Sequence, residues 1–353
     1  MKIIFCTSTY SLNNSGGMDK VLYNALPEFD KRGIEYLVLA SNKKYDVLKG
    51  LAKLILKNPF SYNIIVFNSL AAISKRYNKY WRIYFFLSLF LGWNKAVYWH
   101  EMSTYFDNFS KQNPAESKLI IKSFNKRKVI HLAVSESNSH IIDDFFPKGI
   151  KRIVYNTCKP ISISGKNTFL YPTVLSIGSI QYIKGTDIWT KVAIGVCKRN
   201  ENAHFLWCGG VNDMKLYKDC KGLISENNLS DRIQFLGRIN NPEILIHSAH
   251  LFYLPSRSDS MPLVVLEAMA CGRDIIYYNS GGAKEAVGDY GIFIENFDVE
   301  ETIERILAYL NQNKNKKVLT ENRGLMERYS SKFKPEVFVD RFLDELGKAI
   351  INK

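Results

Sequence analysis

Six cysteines, Cys6, Cys158, Cys197, Cys208, Cys220 and Cys271, lie scattered through this sequence, with no CxxC pair and no partnered histidine cluster. That scatter argues against a disulfide framework and a zinc site, and it suits reduced thiols in a cytosol-like compartment. Long apolar runs are missing too. Spanning a bilayer takes about 20 apolar residues in a row; the richest stretch, 81–91, is shorter and carries Arg82. The opening MKIIFCTSTY turns polar too early for the apolar core of a signal peptide and reads as a first buried strand. Low-complexity tracts and short-period repeats are also absent.

What is present is enough chain for two domains, 353 residues, and a basic surplus of +14. Much of that surplus sits in 43–95, where ten Lys/Arg face Asp46 alone. The same stretch holds the aromatic run 80–93, YWRIYFFLSLFLGW. Basic residues beside amphipathic or aromatic segments suit an anionic membrane surface. A buried helix flanked by a solvated basic face is the alternative. Nucleic acid is not expected as a partner, because the stretch has neither a zinc finger nor an aromatic RNA-binding motif.

Short apolar runs alternate with longer helical ones. Strands are expected at 3–6, 36–39, 64–67, 96–99, 130–134 and 152–155, and again at 174–177, 204–207, 233–236, 251–254, 275–278 and 291–294. Their apolar character is continuous rather than alternating, as in parallel strands covered on both faces. The segment 159–171, KPISISGKNTFLY, interrupts the rhythm and reads as a linker. The fold class is therefore α/β, with two successive doubly wound, Rossmann-like domains and their ligands at the carboxyl ends of strands.

The most informative segment is 254–272, LPSRSDSMPLVVLEAMACG. A strand ends near Pro255, a loop carries Asp259, Pro262 takes the place of a first helical residue, and a helix over 263–271 stops at Gly272. The amides that open this helix are a natural seat for a diphosphate. Glu267 lies one turn beyond Leu263; in so apolar a helix a carboxylate serves hydroxyls or a cation, unless it merely sits exposed at the helix edge.

Asp259-x7-Glu267, followed by AMACG at 268–272 and SGGAKE at 280–285, resembles the E-x7-E signature of retaining family 4 glycosyltransferases, the glycosyl transferases group 1. Other pieces follow the family's order: Gly16-Gly17 after the first strand, YWHE at 98–101, AVSE at 133–136, VYN at 154–156, IGSIQYIKG at 177–185 and FLGR at 235–238. The resemblance spans nearly the whole chain and is most specific over 251–285. It implies a GT-B fold, with two Rossmann-like domains facing across a cleft. The domains are then an acceptor-side domain at 1–158, a linker at 159–172, a nucleotide-sugar domain at 173–334 and a helix at 335–353 that crosses back.

Carried over by position, the resemblance implies that Glu267 holds the ribose hydroxyls and Asp259 the hydroxyls of the donor sugar. Lys184 neutralises the diphosphate, and His100 bonds the sugar near the reacting centre. Gly16, Gly17, Ser179, Gly237, Arg238, Ser260, Met261, Pro262, Leu263 and Val264 complete the donor site. The implied enzyme is a hexosyltransferase-like protein acting with retention by front-face substitution, with no metal or other cofactor. Its partners would be a UDP- or GDP-sugar and a glycan or lipid-linked acceptor in bacterial cell-surface polysaccharide synthesis, at a cytoplasmic location peripheral to the inner membrane face. Five positions depart from the pattern: Asp259 in place of Glu, Ser179 in place of Arg, Met261-Pro262 in place of Phe-Gly, and Asp274 in place of Pro. The departures at Ser179 and Asp259 motivate one alternative, a non-catalytic nucleotide-sugar-binding partner protein; a nucleotide-sugar epimerase is the other, and the E-x7-E element argues against it.

Overall fold

The computed structural model describes all residues except 8–16, 41–42, 69–80, 101–109, 127–128, 162–168, 313–320 and 352–353. The chain forms two compact units, Met1–Lys159 with Lys332–Lys353, and Pro160–Ser331.

The first unit runs β1 (Ile3–Thr7), α1 (Gly17–Lys31), β2 (Tyr36–Ala40), α2 (Lys44–Leu56), β3 (Ile64–Phe67), α3 (Trp81–Phe90), β4 (Asn94–Trp99), α4 (Pro114–Lys126), β5 (Ile130–Ala133), α5 (Glu136–Phe145) and β6 (Ile150–Ile153). Its six parallel strands stand in the order β2-β1-β3-β4-β5-β6. Every residue of β1, β3 and β5 is buried, which explains why their sequences are apolar apart from Thr7 and His131. One core joins the sheet to α2, α3, α4 and α5 through Val47, Leu54, Tyr84, Phe85, Phe124 and Ile142. Phe5, pointing elsewhere, packs on Phe29 of α1, with ring centroids 5.5 Å apart.

The second unit runs β7 (Thr173–Ile177), α6 (Thr186–Arg199), β8 (His204–Cys208), α7 (Met214–Glu226), β9 (Ile233–Gly237), α8 (Pro242–Ser248), β10 (Leu251–Leu254), α9 (Leu263–Ala270), β11 (Ile275–Tyr278), α10 (Gly282–Val287), β12 (Ile292–Ile294), α11 (Val299–Gln312) and α12 (Arg323–Lys332). Its sheet is again six-stranded and parallel, in the order β12-β11-β10-β7-β8-β9. The chain winds outward from β7 in one direction, then returns to β10 and winds the other way. β7 and β10 therefore flank the point where a doubly wound sheet opens a crevice for ligands. The last helix, α13 (Pro335–Ile351), packs on α1 in the first unit, where Phe342 lies 5.8 Å from Phe5 and 5.9 Å from Phe29.

Several boundaries move from their sequence positions. The strand expected at 152–155 is Ile150–Ile153, an edge strand whose Lys151 and Arg152 masked its start. By Phe169, whose N–H donates to Ser248 O at 3.2 Å, the expected linker already belongs to the second unit. At the other crossing, Phe333 is buried and its carbonyl accepts from Thr157 Oγ1 at 2.7 Å, so the chain re-enters the first unit before residue 334. Pro262 caps α9 in an extended conformation (φ −69°, ψ 120°) rather than starting it. That helix ends at Ala270, with Gly272 at φ +61° donating to Met269 O at 3.0 Å, a left-handed stop. All six cysteines are buried.

Candidate active site

In the second unit the loops after β7 and β10 meet. Lys184, in the short 3-10 turn Tyr182–Lys184 after β7, places Nζ 2.5 Å from Asp259 Oδ2 in the loop after β10. The side chains keep 28% and 14% of their exposure, so the pair is open to a ligand yet partly desolvated. Two residues expected to touch different parts of one donor therefore touch each other.

The backbone around them is tightly prescribed. Gly185, at φ +71°, lies so close to the loop after β10 that a Cβ would sit 2.0 Å from Pro255 O. Asp259 N donates to Ser280 O at 2.7 Å, and Gly282 N donates to Asp259 O at 3.0 Å, which binds the loops after β10 and β11 together. A Cβ on Gly282 would stand 1.9 Å from Ser260 O. Ser280 Oγ, directly behind this junction, is buried without a hydrogen-bond partner.

Arg257 braces the same junction, and the sequence reading passed over it. Its guanidinium bonds both oxygens of Asp187 at 2.7 Å, bonds Tyr182 O at 2.6 Å and lies 3.7 Å from the centroid of the Tyr182 ring. Burial pushes the Asp187 carboxyl upward, but hydrogen bonds and charge from Arg257 more than offset this and hold its pKa below the usual range. Asp187 is the second residue of α6, two residues past Gly185, so its place beside a candidate functional loop was the available signal.

On α9 only Leu263, Val264 and Glu267 are half-exposed; the rest of the helix is buried. Positions i, i+1 and i+4 share one helical face, so the helix's single carboxylate stands on its open stripe. The first helical hydrogen bond runs from Val265 N–H to Pro262 O at 3.1 Å, which leaves the Leu263 and Val264 amides ahead of it at the positive end of the helix. Ser260, Met261 and Pro262, expected in the donor site, are buried just before them.

The other rim of the crevice consists of backbone. Gly178 N donates to Cys208 O at 2.9 Å and Gly209 N to Gly237 O at 2.8 Å, linking the ends of β7, β8 and β9. A Cβ on Gly209 would strike Gly178 O at 1.9 Å, and one on Gly210 would strike Arg238 Nε at 2.5 Å. Ser179, expected beside the diphosphate, receives a hydrogen bond from Gln181 Nε2 at 2.9 Å. Lys184, Asp259, Ser179, Gly237 and Arg238 thus lie at or just past the carboxyl ends of strands in one sheet, and Glu267 lies on the helix that follows β10.

His100 belongs to the first unit, directly after β4, and is buried. Asn68 donates its amide to Asp19 Oδ1 at 3.3 Å, which turns its carbonyl oxygen toward His100 Nε2 at 3.4 Å. Tyr98 packs edge-on against the imidazole at 4.3 Å and its hydroxyl reaches Asn156 Oδ1 at 3.1 Å. Burial lowers the His100 pKa to about 3, with Asn156 opposing weakly, so the ring is neutral near pH 7. Asp19 and Asn68, beside the reversal of strand order at β1 and β3, were missed in the sequence. Gly16 lies outside the described residues, and Gly17 opens α1.

Comparison with known proteins follows the same division. Residues 166–324 match the family model described as glycosyl transferases group 1. An uncharacterized glycosyltransferase of Haemophilus influenzae is 27% identical over 190 residues, covering 48% of this chain and 53% of that protein. One from Methanocaldococcus jannaschii is 33% identical over 127 residues, covering 35% of each. The chain thus spans about half or less of the length of these curated relatives. A crystal structure of Anabaena HepE with UDP and glucose superposes with a TM-score of 0.74 at 17% identity, covering 99% of this chain and 100% of that one. At that identity the likeness establishes the fold.

Proposed function

Since the second unit belongs to the glycosyl transferases group 1 and the whole chain has the GT-B fold, we propose that this protein transfers a sugar from a nucleoside diphosphate donor to an acceptor hydroxyl, with retention of configuration. The observation that carries this reading is the Lys184–Asp259 pair at the β7/β10 switch point, beside the open stripe of α9. An ammonium there offsets the charge that builds on a departing diphosphate, together with the first amides of α9. Asp259 accepts from sugar hydroxyls once a phosphate takes over Lys184, and Glu267 accepts from the two ribose hydroxyls. The leaving diphosphate itself takes the acceptor proton, so the scheme calls for neither a protein base nor a metal ion.

UDP is the favoured nucleotide, because HepE structures hold UDP and UDP-glucose in the same fold. The acceptor is a glycan or lipid-linked oligosaccharide of a bacterial cell-surface polysaccharide, met at the inner face of the membrane. The test is nucleotide release from UDP-, GDP- and ADP-sugars across an acceptor panel, with and without chelator, for the protein and for Glu267→Ala and Lys184→Ala. Turnover with one donor, unaffected by chelator and lost in both variants, is the expected result. A second reading comes from the ion pair itself, which already neutralises Lys184: a binding protein that holds nucleotide sugar without turnover. Donor binding with no release on any acceptor would favour it.

A further inference from the structure

The basic stretch of the first unit has a surface that neither a plain core helix nor a solvated one would present. Helix α2 carries two apolar stripes. Val47, Leu51 and Leu54 face the core. Tyr45, Leu48, Ile55 and Leu56 face outward, with 73%, 56%, 75% and 85% of their surface exposed. Spacings of three, seven and one place them on a single face, roughly opposite the buried one. Helix α3 repeats the arrangement: Tyr84 and Phe85 point inward, whereas Ile83, Phe86 and Phe90 follow i, i+3, i+7 on the outside. The two helices are neighbours. Tyr84 hydroxyl lies 3.4 Å from Val47 O, and Trp93 Nε1 donates at 3.2 Å to Pro59 O in the turn Pro59–Ser61, which presents Phe60 to solvent.

The charges around these stripes are predominantly positive. Lys44, Lys49 and Lys57 are exposed and Lys53 half-exposed along α2; Asp46 is the only acid on that helix, and α3 has none. A second copy of the chain would bring lysine against lysine across a shared apolar patch. Nucleic acid would satisfy the lysines but leave the apolar stripes in water. An anionic bilayer meets both demands, with acyl chains for the stripes and lipid phosphates for the ammonium groups. Among the described residues no helix is long and apolar enough to cross a membrane, so the contact is one of lying on the surface.

We propose that the α2–α3 face seats the protein on anionic lipid, its apolar stripes entering the boundary between headgroups and acyl chains. The setting rests on the membrane-side location in the proposed function, while the surface itself is defined independently of the donor site.

The full chain is sedimented with vesicles of phosphatidylcholine alone and of phosphatidylcholine with phosphatidylglycerol, at low and high salt. Expected is at least about tenfold stronger partitioning onto the anionic vesicles at low salt. Ile55→Ser with Phe90→Ser should abolish partitioning at both salt concentrations. Lys49→Gln with Lys53→Gln should remove mainly the low-salt gain. UDP binding, followed by thermal shift, should be unchanged in every variant; this shows that they fold and separates failure here from failure of the donor-site reading. Equal partitioning onto neutral and anionic vesicles would overturn the proposal. So would undiminished binding by the Ser variant, or self-association that this variant abolishes in a chain that ignores vesicles.

Discussion

Lys184 Nζ and Asp259 Oδ2 stand 2.5 Å apart across the β7/β10 switch point, although 75 residues separate them in sequence. A ligand phosphate must compete with Asp259 for that ammonium. Asp259→Asn should therefore tighten binding of a free nucleoside diphosphate, by roughly fivefold for a coupling near 1 kcal/mol. Turnover should fall in the same variant, because the donor sugar loses a charged acceptor. Lys184→Met should weaken nucleotide binding in either background. Calorimetric titration with UDP, paired with turnover, reads both effects; weaker binding in Asp259→Asn would show that the carboxylate supports the phosphate rather than opposing it.

Gly185 and Gly237 share nearly the same left-handed backbone, φ +71° and +72°, within one unit. They differ in surroundings: a Cβ at 185 meets Pro255 O at 2.0 Å, whereas at 237 it meets nothing within 4 Å. Alanine at 237 should cost about 1–2 kcal/mol, the conformational penalty alone. Alanine at 185 should cost clearly more and should also displace Lys184. Urea unfolding midpoints of the two variants, followed by a probe in the second unit, check the difference.

Strand positions were legible because buried parallel strands are largely apolar, and the candidate loops stood out because Lys184 and Asp259 sit where the apolar rhythm breaks. Pairing across the crevice was not legible, since nothing local at Lys184 specifies which loop lies opposite. Arg257 was missed for a related reason: its partners Asp187 and Tyr182 belong to a different strand-helix turn. Periodicity in 44–56 was ambiguous in another way. Two apolar stripes on one helix both satisfy helical spacing, and only packing reveals that Val47 and Leu54 are the buried ones.

Arg257→Lys keeps the charge but loses the two-pronged bond to Asp187 and the stacking on Tyr182. Its expected cost is about 1–2 kcal/mol of stability, with a raised donor KM and a nearly constant kcat, as befits a positioning residue. A variant whose kcat falls while KM holds would instead place Arg257 in contact with the reacting groups.

Acid should weaken the first unit. His100 and His131 are both buried, and burial lowers each pKa from 6.5 to about 3. Below pH 6.5 the unfolded chain takes up protons that the folded chain refuses, so stability falls as pH drops from about 6.5 toward 3. The slope is about 1.4 kcal/mol per pH unit for each histidine. His131→Gln keeps an acceptor for Trp99 Nε1, which donates to His131 Nδ1 at 2.9 Å. Denaturant titrations between pH 4 and 7 should show that slope reduced by one histidine's share.

Helix α13 fills the face of the first unit where Phe5, Phe29 and Phe342 meet, yet it follows the entire second unit in the chain. During synthesis the first sheet therefore waits, one aromatic side uncovered, while some 170 residues of the second unit emerge. The later-made unit is the first that can close its own core, and the earlier-made one depends on contacts more than 300 residues apart, such as the Arg32 bond to Glu336 O at 3.1 Å. Assembly order on the ribosome thus runs opposite to order along the chain, and an exposed Phe5–Phe29 surface is the feature a chaperone would meet in the interval.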